Sequence, residues 1–237
     1  MSRAIFFDLD GTLTDSGPGI INCAQLALAH FGIQVPDRDQ LRVFVGPPLR
    51  QSFARFGVPP ASLDEAIARF RARYVPIGKF ENTPYPGIAG LLDRLQGAGY
   101  RLFVATSKPQ VTAQEVLEHF QLARYFERVC GASLDAGRET KEDVISYLLA
   151  QIGAPGQVVM VGDTAFDVLG AKVHGIPTIG VTWGYGQAES MREAGAAALA
   201  DTRNTGGLAP YPGRLFSGAA PGTSLKSRSR RARDLLF

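Results

Sequence analysis

Two aspartates two positions apart, Asp8 and Asp10 in "FFDLDGT" (residues 6–12), follow directly on an apolar run and precede a glycine. Side chains alternate faces along a strand, so this spacing points both carboxylates the same way, where like charges repel and disturb each other's pKa. Such a pair needs a cation or a proton-transfer task. Later segments carry groups of matching chemistry: "ATSK" supplies Thr106, Ser107 and Lys108, Lys141 opens a helical segment, and "GDTAFD" supplies Gly162, Asp163 and Asp167. Carboxylates, hydroxyls and an ammonium together suit a divalent metal and a phosphate, with hard oxygens for Mg²⁺ and donors for phosphoryl oxygens.

These segments must be brought together by their elements. "RLFVATS" (101–107), "ERVCGA" (127–132), "QVVMVGD" (157–163) and "PTIGVTW" (177–183) are β-branched or aromatic runs ending in small or polar residues. Helix-length segments with helical apolar spacing lie between them, with Pro86 and Pro109 placed for first turns and Gly153 and Gly175 for helix ends. With "AIFFDLD", this alternation predicts a five-strand parallel α/β sheet with helices on both faces and right-handed crossovers. Its candidate residues then gather at the carboxyl ends of the strands, where open α/β sheets bind their ligands. Residues 15–82 break the rhythm with amphipathic helical patterns and no strand; Ser62 and Glu65 have capping-box spacing. This predicts a helical insertion, rising as a cap over the pocket between core segments 1–14 and 83–202.

Composition fits a chain able to bury a full core: 237 residues, 45% hydrophobic. No apolar run approaches the ~18 residues of a membrane span, and "MSRAIFFDLD" lacks a signal peptide's apolar core, so a soluble, cytoplasmic protein is expected. Cys23 and Cys130 sit in apolar stretches and read as core rather than as a disulfide or a catalytic thiol. The formal charge of +3 is a property of the tail: residues 214–237 carry +5, leaving −2 for the rest. A mildly acidic body with a solvated basic end argues against a nucleic-acid partner.

The order and wording of "DLDGT", "ATS", Lys141 in "RETK" and "GDTAFD" resemble the haloacid dehalogenase superfamily of aspartate-nucleophile phosphatases, over residues 4 to about 200. The resemblance implies a Rossmann-like core with Asp8 as nucleophile, forming an aspartyl-phosphate, and Asp10 as general acid and then general base. It implies Mg²⁺ held by the carboxylates of Asp8 and Asp163 and the backbone carbonyl of Asp10. Asp167 would hold the metal's waters or Lys141, with Thr12 also in support, and Gly11, Thr106, Ser107 and Lys141 would bind the phosphoryl oxygens. The charge problem stands independently of any resemblance. A carboxylate about 4 Å from a phosphate dianion, at an effective dielectric of about 20, meets roughly 8 kcal/mol of repulsion, so a cation and Lys141 must neutralise it. Thr164 reads as a helix cap, Lys108 as a solvated lysine, and His30, His119 and His174 as surface residues outside the mechanism.

The size and place of the insertion resemble the subgroup containing phosphoglycolate phosphatases and β-phosphoglucomutases. "FVGPPLRQSF" (44–53) and "GVTWGYG" (180–186) look closest to bacterial 5'-nucleotidases. Gly46, Pro47 and Pro48 would then shape a loop over the pocket, and Arg50 would reach a polar substrate group. Trp183 and Tyr185 would stack a base or pack beneath the cap. A nucleoside 5'-monophosphate is the expected substrate, ahead of phosphoglycolate, for a monomer or homodimer. A mutase or dehalogenase fits less well, and a non-enzymatic receiver-type signalling domain would need its site open to a kinase. Residues 203–237, with 12 Gly, Pro or Ser in 35 positions, read as a disordered basic tail, an atypical extension or the product of a shifted reading frame.

Overall fold

The computed structural model describes residues 3–135, 137–153 and 155–200; the expected tail, residues 203–237, lies outside the described residues. Six strands form one parallel sheet: β1 (Arg3–Phe7), β4 (Arg101–Pro109), β5 (Arg128–Ala132), β6 (Gln157–Gly162), β7 (Thr178–Val181) and β8 (Ala198–Ala200). Their spatial order is β5-β4-β1-β6-β7-β8. The chain builds outward from β1 through β4 to β5, then returns to the other side of β1 for β6. That reversal puts the topological switch point between β1 and β6, directly beside Asp8 and Asp163. The sixth strand, β8, adds an edge to the five the sequence predicts.

Alternation along β1 sets the two faces. Ile5 and Phe7 join an apolar cluster with α4 (Ile88–Gly97) and α5 (Gln110–His119), through Leu91, Leu95, Val116 and Leu117. Ala4 and Phe6 join the opposite cluster with α6 (Lys141–Ile152) and α7 (Ala165–Val173), through Val144, Ile145, Leu148 and Ala171. The central strands are apolar on both faces because helices cover both. Cys23 and Cys130 are buried and free.

Between β1 and β4 the chain makes a two-stranded antiparallel ribbon, β2 (Thr14–Asp15) with β3 (Thr83–Pro84). From this ribbon rise α1 (Gly17–His30), α2 (Leu49–Arg55) and α3 (Leu63–Tyr74), which surround their own cluster of Leu28, Leu41, Phe44, Phe53, Phe70 and neighbours. The ribbon was not expected from sequence, because two residues per strand give no readable alternation. The capping box at Ser62 does not form. A short 3₁₀ turn, Pro60–Ser62, leads straight into α3 and leaves Ser62 at φ −105°, ψ 0°, away from the extended conformation a capping side chain needs. Pro109 likewise ends β4 instead of lying in the first turn of α5. α8 (Ala188–Ala194) links β7 to β8, and among the described residues no helix is long and apolar enough to cross a membrane.

Candidate active site

Strand β1 ends at Phe7, and Asp8 makes one more ladder bond, its N–H donating to Val161 O at 2.9 Å. The chain then turns tightly: Leu13 and Thr14 N–H both donate to Leu9 O, and Gly11 N–H to Thr14 O at 2.8 Å. Gly11 has φ +81°, and a Cβ there would lie 2.2 Å from Asp163 Oδ2, so both conformation and space require glycine. This turn corrects the expectation that strand alternation aims Asp8 and Asp10 together. Each carboxylate instead faces its own lysine.

Asp8 faces Lys141, whose Nζ lies 2.8 Å from Asp8 Oδ1 and 2.8 Å from Asp167 Oδ1, and donates to Ala105 O at 2.9 Å. Lys141 is the first residue of α6, fixed there by a capping box in which Thr140 and Asp143 bond each other's backbone N–H. Gly170 lets α7 approach, since a Cβ on it would come 2.8 Å from Lys141 Cβ. Thr164 caps α7 as its sequence suggests, through a second reciprocal box with Asp167, whose Oδ2 accepts from Thr164 N–H and Oγ1. Asp167 thus spends one oxygen on the helix start and the other on Lys141. Asp163 is held at both oxygens: Oδ1 accepts from Thr12 Oγ1 at 3.2 Å and Oδ2 from Tyr185 N–H at 2.8 Å.

Asp10 faces Lys108. The ammonium lies 2.9 Å from each Asp10 oxygen and also bonds the hydroxyl of Tyr74, at the end of α3 in the insertion. Lys108 is only 6% exposed, so the reading of a solvated lysine is overturned: a buried ammonium is retained because it is paired. Sequence reasoning missed Tyr74, and it set Lys108 beside the hydroxyls at a strand end but read it as solvated. Thr106 is buried, with its Oγ1 accepting from Lys108 N–H, and Ser107 is half-buried beside it on β4.

The insertion meets the site at few points. Gly46 has φ +104°, and a Cβ there would touch Thr164 Cγ2 at 3.4 Å, so the Gly46 loop sits at the start of α7. Arg50, expected to reach a substrate, instead pairs with Asp64 on the same insertion, both well exposed. Trp183 packs edge-on against Tyr85 and donates from Nε1 to Thr12 O at 3.2 Å. His30 pairs with Glu65, His119 packs on Phe80, and His174 Nε2 meets Glu142 O. A cavity of about 300 Å³ along edge strand β5 contains none of these groups.

One carboxylate oxygen from each of Asp8, Asp163 and Asp167 lies within 4.8 Å of the other two, and all three residues are buried. Burial pushes the Asp8 carboxyl up to about 6 despite Lys141, with Asp167 adding repulsion. Burial also raises Asp163 well above the usual range, again with Asp167 and Asp8 repelling. Burial opposes the charge on Lys141, but the Asp167 and Asp8 carboxylates outweigh it and raise its pKa. Were all three carboxylates ionised, the one ammonium of Lys141 would leave a charge of −2, which a hard divalent cation would cancel. The donor set therefore fits a metal such as Mg²⁺, held by Asp8 and Asp163, with Asp167 at its edge.

The chain resembles known proteins along most of its length. Over 188 residues it is 46% identical to the tyrosine-protein kinase PtkA of Mycobacterium tuberculosis; that match covers 79% of this chain but 64% of the kinase, less than two thirds of its length. Over 190 residues it is 44% identical to a 5'-nucleotidase of Pseudomonas aeruginosa, covering 79% of this chain and 86% of the enzyme. The crystal structure of a predicted phosphatase from Clostridium acetobutylicum superposes with a TM-score of 0.83 at 39% identity, over 92% of this chain and 99% of that one. The family model for haloacid dehalogenase-like hydrolases matches residues 5–181, and the chain belongs to that family.

Proposed function

We propose that this hydrolase cleaves phosphate monoesters by way of an aspartyl-phosphate on Asp8, and that its substrate is a nucleoside 5'-monophosphate. The observation carrying the proposal is the convergence of Asp8, Asp163 and Asp167 on Lys141 at the switch point of the sheet. A bound Mg²⁺ would supply charge neutralisation and polarise the phosphoryl oxygens. Lys141, Thr106, Ser107 and backbone N–H groups around Gly11 hold the phosphoryl group, and Asp8 Oδ attacks phosphorus in line with the leaving oxygen. Asp10 donates a proton to that oxygen as the P–O bond breaks. It then takes a proton from the water that attacks the phosphorus, freeing phosphate and the Asp8 carboxylate. Lys108 and Tyr74 hold Asp10 between these transfers.

Segments 1–14 and 83–202 serve as the catalytic unit and 15–82 as a cap that sheds water from the site. A reducing compartment such as the cytoplasm suits two buried, free thiols. The nucleotide is favoured by the 5'-nucleotidase relative, of which the match covers 86%. Phosphate release from nucleoside 5'-monophosphates, phosphoglycolate, sugar phosphates and phosphotyrosine, with Mg²⁺ or with EDTA, tests the reading. Metal-dependent release, fastest from a nucleotide, is expected. Preference for phosphoglycolate would redirect the substrate assignment. Transfer from ATP to protein tyrosine without hydrolysis of any monoester would replace phosphatase by kinase.

A further inference from the structure

The loop after β7 touches the carboxylate site at one end and the root of the helical insertion at the other. The backbone N–H of Tyr185 supplies one of the two bonds that orient Asp163, and its phenol reaches back across the molecule. The phenol oxygen accepts from Gly17 N–H at 2.8 Å and donates to Asp15 Oδ1. Asp15 ends β2 and Gly17 begins α1, so both contacts fall where the chain leaves the sheet for the insertion. The Arg42 guanidinium of the insertion lies over the ring at 5.1 Å, and the ring packs against the insertion's apolar cluster.

Three glycines make this bridge possible. A Cβ on Gly184 would lie 2.3 Å from Asp163 Oδ2, one on Gly186 1.9 Å from Asp163 O, and one on Gly17 2.2 Å from the Tyr185 oxygen. The backbone on either side of Tyr185 is pressed against Asp163, and the phenol fills the notch that Gly17 leaves. Without the hydroxyl, the loop keeps the packing of the Tyr185 ring but loses its hydrogen bonds to the root of the insertion, and the flanking glycines leave its backbone free to shift.

We infer that Tyr185 is a positioning residue that makes cation affinity at Asp163 depend on the seating of the helical insertion. The inference rests on the metal-site reading above. With the insertion seated, Asp15 and Gly17 hold the phenol, and the Tyr185 N–H stays on Asp163 Oδ2. Movement of Asp15 and Gly17 away from the loop frees the phenol, and Asp163 loses one of its two orienting bonds. Linkage requires the converse, that a cation at Asp163 favours the seated insertion.

Tyr185→Phe keeps the ring and the amide N–H and removes only the hydroxyl. Mn²⁺ titrated into the metal-free full chain, with free Mn²⁺ read by electron paramagnetic resonance, should bind about tenfold more weakly, the low end of the loss when an outer-shell partner is removed. Asp15→Asn removes a charge but keeps an acceptor for the phenol, and should weaken binding by less than about threefold. Asp15→Ala leaves the Gly17 N–H bond in place and should fall between Asp15→Asn and Tyr185→Phe, and adding it to Tyr185→Phe should cost little further, because the Asp15 contact needs the phenol. A purely structural Tyr185 would lower Tm and leave the folded protein's Mn²⁺ affinity unchanged, which would overturn the inference. Should Tyr185→Phe fail to fold, Asp15→Ala against Asp15→Asn decides the same question. A wild-type chain that binds no Mn²⁺ would overturn the metal site itself and this inference with it.

Discussion

The ammonium of Lys108 lies 2.9 Å from both carboxylate oxygens of Asp10, so the residue assigned to proton transfer is gripped by a different lysine from the one that pairs with Asp8. The grip passes through Tyr74 to the helical insertion. General acid–base catalysis depends on the donor standing within hydrogen-bond reach of the reacting oxygen, so the holder of Asp10 should matter nearly as much as Asp10.

Lys108→Met preserves length and apolar volume and removes the ammonium. It should lower kcat about 10- to 100-fold, a fraction of the roughly 10²- to 10⁴-fold that a positioned acid–base group contributes. Steady-state kinetics with a saturating monoester would check this, and KM should change less than kcat. Tyr74→Phe should cost less, since the Asp10 pair survives it.

Asp167→Asn leaves the helix cap partly satisfied and removes one of the two charges on Lys141. A loss of about 1–3 kcal/mol is expected, below the cost of stranding a buried charge outright, because Asp8 still pairs the ammonium. Activity should fall about 10- to 100-fold because Lys141 then drifts from its place over Asp8. Chemical denaturation beside phosphate-release rates separates the two effects.

Metal-free protein should reveal the buried carboxylates through pH. The Asp8 carboxyl titrates near 6 in the folded chain and at 3.8 by its ordinary value, so folding favours its protonated form. That contribution is complete below about pH 4 and is lost as pH rises through about 6. Asp163, also raised by burial, acts in the same direction. In EDTA, Asp8→Asn should therefore match wild type in stability near pH 4 and exceed it above pH 6, by on the order of a few kcal/mol. Mg²⁺ should narrow the gap by stabilising wild type alone. Denaturation curves at several pH values, with and without metal, measure this.

Much of the candidate site's assembly was legible in the sequence because its groups sit at punctuation points of the fold. Asp8, Thr106 and Asp163 follow apolar runs, and Lys141 and Asp167 lie in the first turns of helices, where local pattern fixes position. The parallel sheet was legible for the same reason. Lys108 was not, since nothing local distinguishes a lysine beside a proline that will be buried from one that stays in water. Its partners, Asp10 and Tyr74, lie 98 and 34 residues away. Tyr185 depends on contacts 168 and 170 residues distant, and on glycines whose purpose appears only when their neighbours are in place. Arg50, expected to reach a polar substrate group, pairs with the exposed Asp64 of the same insertion, a partner that its local sequence does not reveal.

Covalent chemistry at Asp8 can be caught by acid quenching during turnover. Wild type and Asp10→Asn would each be mixed with excess monoester and Mg²⁺, quenched in acid within the first turnovers, digested and mapped by mass spectrometry. One phosphoryl group is expected on the peptide containing Asp8. Turnover with no phosphoryl group on Asp8, or with the group on another residue, would contradict it.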